Sequence, residues 1–158
     1  MKLRPALLSV TSDDVRQMLC ELQKYWRLQG VEQNASATTA QIDSLKLHLE
    51  PARHPELYAY FESVNGMPPG QTDDALIHFR SISEVLFDLD RLADNIREIE
   101  IADYSLKAFV LVLSLDQEGS GGAIDAFDGT NRKRIANTFV DLLREYLRSP
   151  QNIANPFN

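Results

Sequence analysis

Between Pro55 and Gly70 the chain reads P-E-L-Y-A-Y-F-E-S-V-N-G-M-P-P-G, a helix with its end written into it. Leu57, Tyr60, Phe61 and Val64 recur at i, i+3, i+4 and i+7, which places them on one helical face. Asn65-Gly66 offers the left-handed backbone that helix C-termini favour, and Pro68 and Pro69 cannot continue a helix because neither carries an N–H. Any fold of this chain must accept a one-sided helix that stops abruptly and delivers the chain to whatever comes next.

The flanking segments supply partners for that face. Ser12 is a good N-cap, Asp13 and Asp14 complement the helix dipole, and Val15, Met18, Leu19, Leu22 and Trp26 form an apolar stripe, so a helix is expected from Ser12 to near Gly30. Gln33 to Ala40 is small and polar, a loop. Thr39 to Leu49 fits both periodicities and is read as a helix, then Ala75 to Arg80 as a short strand, with Ser83 capping a helix through about Leu92. Glu98-Ile99-Glu100-Ile101 alternates as a strand with one wet face, and Phe109 to Leu113 is an unbroken apolar run typical of a strand covered on both sides. The Gly-rich loop Asp116 to Gly122 leads into a strand at Ala123 to Phe127, and Asp128-Gly129 turns the chain again. A closing helix is expected over Arg132 to Leu147, burying Ile135, Ala136, Phe139, Leu142, Leu143 and Tyr146, with Pro150 ending it and the last residues forming a tail. Helices first, strands in succession and a final helix make a single α+β domain, with a mostly antiparallel sheet of about four to six strands and the C-terminal helix packed on it.

A chain of 158 residues is long enough to bury its own core without a metal or disulfide, and the lone Cys20 can form no internal bridge. Beside the apolar stripe, Cys20 is expected to be inert or partly buried. The patch Ala6 to Val10 is too short for a secretory core or a membrane span, and together these features point to a cytoplasmic protein. The formal charge of −7 is concentrated: Glu84 to Asp128 holds eleven carboxylates against Arg91, Arg97 and Lys107, a net of −8 that leaves the remainder near +1. That balance argues against nucleic-acid binding, which rests on cations meeting phosphates, and leaves two readings open, a basic partner or solvent-facing strands and loops that simply keep the domain soluble.

Catalytic patterns are weak throughout. His48, His54 and His78 form no zinc-binding pair, so no metal or cofactor is expected. Gly119-Ser120-Gly121-Gly122 lacks the Lys-Ser/Thr of a phosphate loop, Ser120 does not sit in G-x-S-x-G, and Asp125 with Asp128-Gly129 lacks calcium-loop spacing. Asp88 with Asp90, and Asp116 with Glu118, are carboxylate pairs with no neighbour in sequence to split their pKa values. Arg132-Lys133-Arg134 is the one basic run, expected to pair with acids on the same domain or on a partner.

Taken in order, Phe61 with Asn65-Gly66, then Ile101-Ala102-Asp103, then Gly122, then Ile135-Ala136 with Phe139, the landmarks from about Ile42 to Leu147 resemble the SUKH superfamily, which unites fungal cell-wall-synthesis regulators with bacterial toxin-immunity proteins. His54-Pro55 stands where that pattern usually has Leu-Pro. The resemblance implies a non-catalytic protein-binding domain. On this reading the chain is an immunity protein that occludes a cationic, nuclease-type toxin through an acidic surface, with Asp88, Asp90, Asp94, Asp116, Glu118, Asp125 and Asp128 as contact residues. The alternative it leaves open is a regulatory or scaffolding adaptor with no toxin partner.

Overall fold

A computed structural model describes residues 12–51, 53–92, 97–115 and 122–157. Three helices lead, α1 (Ser12–Leu28), α2 (Thr39–Leu49) and α3 (Pro55–Ser63), followed by β1 (Ile77–Phe79), α4 (Ile82–Leu89), β2 (Glu98–Tyr104), β3 (Phe109–Ser114), β4 (Ile124–Phe127), β5 (Arg132–Ala136), α5 (Phe139–Arg148) and the short α6 (Pro150–Ala154). The strands form one antiparallel sheet in the order β1-β2-β3-β4-β5, a meander in which each strand pairs with its neighbours in sequence. The α+β class, the N-terminal helices and the C-terminal helix on the sheet are as expected. Among the described residues no helix is long and apolar enough to cross a membrane.

Local chemistry sets the element ends. Thr38 and Gln41 form a reciprocal capping box at the start of α2, which resolves its ambiguous periodicity in favour of helix. A second box, Ser81 with Glu84, starts α4 two residues before the Ser83 expected from sequence; Ile82 is thereby inside the helix and fully buried. The largest departure is at the C-terminal end. Arg132 to Ala136 is the fifth strand rather than the first turns of a helix, because the Asp128-Gly129 turn folds the basic run back along β4, where Arg132 faces Phe127 and Arg134 faces Asp125. The helix starts only after Thr138, whose hydroxyl accepts from the Asp141 N–H. Pro150 opens α6 rather than ending the chain's order, and Ile153 docks in the core. Cys20 is exposed, pointing away from the stripe it neighbours.

One face of the sheet carries the core. Trp26 of α1, Phe79 of β1 and Tyr146 of α5 meet through ring contacts of 5.4 and 4.8 Å, and Tyr60 of α3 meets Phe139 of α5 edge-on at 5.1 Å. Within this packing Trp26 Nε1 donates to Tyr146 Oη at 2.9 Å, and that hydroxyl donates to the buried carboxylate of Asp73. Burial first, then the nearby Asp73 charge, pushes the Tyr146 hydroxyl far above its ordinary pKa and keeps it a donor.

The expected landmark residues are structural. Phe61, Ala102, Ala136 and Phe139 lie in the core. Asn65 has φ +53° and is buried; its Nδ2 donates to Ala35 C=O and its Oδ1 accepts from the Ile82 N–H, both at 2.8 Å, so it ties the end of α3 to the start of α4. Gly66, at φ +65°, admits no side chain, since a Cβ there would stand 2.4 Å from Arg80 O. At Gly122 a Cβ would come within 1.6 Å of Ser114 O. Asp103 sits opposite His78 across the β1–β2 ladder.

Candidate functional site: the open face of the sheet

Among the described residues no helical layer crosses the other face. The register puts Glu98 and Glu100 of β2, Val110 and Val112 of β3, Asp125 and Phe127 of β4, and Arg132 and Arg134 of β5 on this side. Val112 is almost fully buried yet lies outside the main core cluster, so the apolar run in β3 is covered here by charged side chains rather than by a second layer. At one side the C-terminal end of α4 leans over the strands, and a cleft of about 660 Å³ runs between them, bounded by Asp88, Arg91, Leu92, Glu98, Glu100 and Phe127.

Two ion clusters flank it, contributing Asp88 and Glu100 from one and Glu98 from the other to its lining. In the first, Arg80 is buried between α4 and β2; its Nη1 donates to Asp88 and lies 3.4 Å from Glu100 Oε2. Burial works against the charged guanidinium, but Asp88, then Glu100 and Glu84, raise its pKa above the ordinary value. In the second, Arg132 forks onto Glu98 at 3.0 and 3.1 Å and reaches Asp125 at 3.4 Å, while Arg134 Nε bonds Asp125 at 2.6 Å. The guanidinium of Arg132 also covers the Phe127 ring at 5.0 Å. Arg132 and Arg134 of the basic run therefore pair with acids of their own domain, one of the two arrangements expected from sequence.

A third polar pair joins β1 to α4. His78 presents Nδ1 to Gln71 C=O at 2.6 Å and Nε2 to Glu84 at 2.9 Å. Both nitrogens face acceptors, an arrangement that only the doubly protonated ring satisfies. Burial lowers the His78 pKa, but the Glu84 carboxylate and the Gln71 carbonyl outweigh it and the net shift is upward. Burial likewise raises the Glu84 pKa, and hydrogen bonds from His78 and the Ser81 N–H reverse this to a net lowering.

The seven proposed contact acids separate. Asp88 is at the cleft, partly exposed and paired with Arg80. Asp90 is exposed and bonded to His48 at 2.8 Å, outside the cleft lining. Asp125 is only 7% exposed, held by two arginines beneath the surface. Asp128 shapes the β4–β5 turn, accepting from the Asn131 and Thr130 N–H groups at 2.6 and 2.9 Å; those bonds, Asn131 first, lower its pKa. Asp94, Asp116 and Glu118 lie outside the described residues.

Other residues in and around the cleft did not figure among the sequence candidates. Glu98 and Glu100 occupy the wet face that the alternation of β2 announced, so their place was readable. Arg80, Phe87 and Leu92 carried no such signal. Phe87 and Leu92 are 60% and 56% exposed, with Arg91 stacked on the Phe87 ring at 4.8 Å. Among the described residues no group of His, Cys, Asp and Glu is arranged to hold a metal ion. No family model matches the chain, and no curated protein matches it.

Proposed function

We propose that the protein is a binding domain of the immunity type, which neutralises a basic, nuclease-type toxin by docking it over the cleft beside α4. The reading is supported by one juxtaposition: exposed Leu92 lines the cleft with Asp88, Glu98 and Glu100, and exposed Phe87 lies just outside it, against Arg91 of the same lining. Large apolar anchors ringed by charged groups suit a protein partner, the anchors supplying binding energy and the carboxylates choosing a cationic surface. The contact set is accordingly narrower than the acidic stretch of sequence, since Asp125 is buried. The resemblance to SUKH immunity proteins supplies the partner class.

A second reading, a regulatory or scaffolding adaptor, draws on the cations in the same cleft: Arg91, Arg97 and Lys107 line it together with Asp88, Glu98 and Glu100, so the groove itself is close to neutral. Co-expression with a nuclease-type toxin, taken from any such gene found beside its own, tests the choice. Rescue of growth is expected, and its loss in the Phe87→Asp/Leu92→Asp variant, whose circular dichroism should be unchanged because both side chains are exposed. Absence of rescue by the parent chain removes the immunity reading; undiminished rescue by the variant removes the cleft as the docking surface.

A further inference from the structure

The two edges of the sheet are finished differently. On the outer side of β1, Ile77 C=O accepts from the Asp73 N–H at 3.1 Å, Phe79 C=O accepts from the Met67 N–H at 2.9 Å, and the Ile77 N–H donates to Asp73 Oδ1 at 3.0 Å. The preceding loop thus closes that edge. At the other end β5 pairs only with β4, and among the described residues no backbone group outside β4 bonds to Arg132–Ala136. An edge of this kind is a template for one more strand.

What lies beside the edge selects the strand. A shallow groove of about 840 Å³ separates β5 from α5 and α6, and it is bordered by Lys133, Arg134, Arg144 and Arg148 against only Asp141 and Glu145. On a chain of net charge −7 this is a locally cationic strip. The ion pairs of Arg144 and Arg148 are i,i+3 contacts near the surface at 2.9 and 2.6 Å, which contribute little and exchange readily for an incoming carboxylate. Lys133 is exposed and has no ion-pair partner among the described residues. A second copy of this edge is disfavoured, because antiparallel pairing of two Arg-Lys-Arg runs sets like charges face to face.

We propose that β5 is a strand-addition site for an acidic, extended segment of a partner protein, which becomes the sixth strand and lays alternate carboxylates towards Lys133, Arg144 and Arg148. Backbone hydrogen bonds to Arg132–Ala136 hold it, and the cations set its composition. This surface is independent of the cleft beside α4 and of any toxin partner.

The test titrates the full chain with a short peptide alternating Glu with Val, with an analogue N-methylated at alternate residues, and with a single-stranded oligonucleotide, following backbone amides by NMR. The parent peptide is expected to shift the amides of Arg132–Ala136 and slow their hydrogen exchange. The N-methylated analogue should not bind, and Lys133→Glu or Arg148→Glu should each weaken binding by about tenfold or more with the amide spectrum otherwise retained. Equal binding of the N-methylated analogue, shifts that leave Arg132–Ala136 untouched, indifference to both substitutions, or displacement of the peptide by the oligonucleotide would each overturn the proposal.

Discussion

Removing the side chain of Asn65 should uncouple α3 from α4, and the cost can be worked out from its contacts. Asn65→Gly leaves the buried Ile82 N–H, at the first position of α4, without its acceptor and withdraws the donor from the more exposed Ala35 carbonyl. A buried orphaned N–H costs about 1–3 kcal/mol, and the loss at the wetter carbonyl adds about 1, for a total near 2–4 kcal/mol. Asn65→Ala makes the same deletion but keeps a Cβ at φ +53°, a strain that glycine escapes, so it should lie about 1–2 kcal/mol beyond the Gly variant. Asn65→Asp keeps the acceptor for Ile82 and should be the mildest of the three. In urea titrations followed by circular dichroism the expected order is Asp least, Gly intermediate and Ala most destabilised. The melting temperature of the Gly variant should fall by about 5–15 °C. A loss below about 1 kcal/mol for Asn65→Gly would refute the clamp, and equal stability of the Gly and Ala variants would refute the contribution of backbone strain.

Three further outcomes follow from the geometry. The His78 pKa is raised on folding, so its contribution is fully present below the unfolded value of about 6.5 and disappears as pH rises through the folded value; stability measured across this window should decline, and His78→Asn should flatten the decline. Glu84 is shifted the opposite way, so its share is present above the ordinary value of 4.5 and is lost as pH falls through the lowered folded value, a loss that Glu84→Gln should remove from an acid titration. Gly122→Ala drives a methyl group into Ser114 O, and thermal unfolding should show a loss of about 3 kcal/mol or more unless the β3–β4 hairpin shifts register, which amide exchange at Ile124–Phe127 would reveal.

Much of this architecture was legible because local signals agreed with tertiary context. The helix ending at Asn65-Gly66, the wet alternation of Glu98 and Glu100, and the apolar run Phe109–Leu113 each carry their own periodicity, and the structure keeps all three. Where reading failed, long-range pairing decided. Arg132-Lys133-Arg134 has no strand character of its own and becomes β5 because Asp125, Phe127 and Glu98 receive it. Ser81 rather than Ser83 caps α4 because Glu84 reaches back and Ile82 fills a core site. The candidate site was hardest to read, since charge counted along the chain ignores the cations that folding brings in: Arg80, Arg132 and Arg134 all lie outside the acidic stretch and neutralise Asp88, Glu98 and Asp125 within it. Phe87 is invisible as an anchor until α4 turns it outward.

The meander order of the sheet also dictates when its parts can form. Every ladder joins neighbouring strands, and those of β2 to β5, such as β2 with β3 across Tyr104↔Phe109, close short stretches of chain and sacrifice little configurational entropy, whereas β1 reaches β2 only across α4. The contact from Trp26 to Tyr146, by contrast, joins residues 120 apart. Hairpins of β2, β3 and β4 are thus the cheap nucleus of folding, and the closure of α1 onto α5 is the late, non-local step that seals the core behind them.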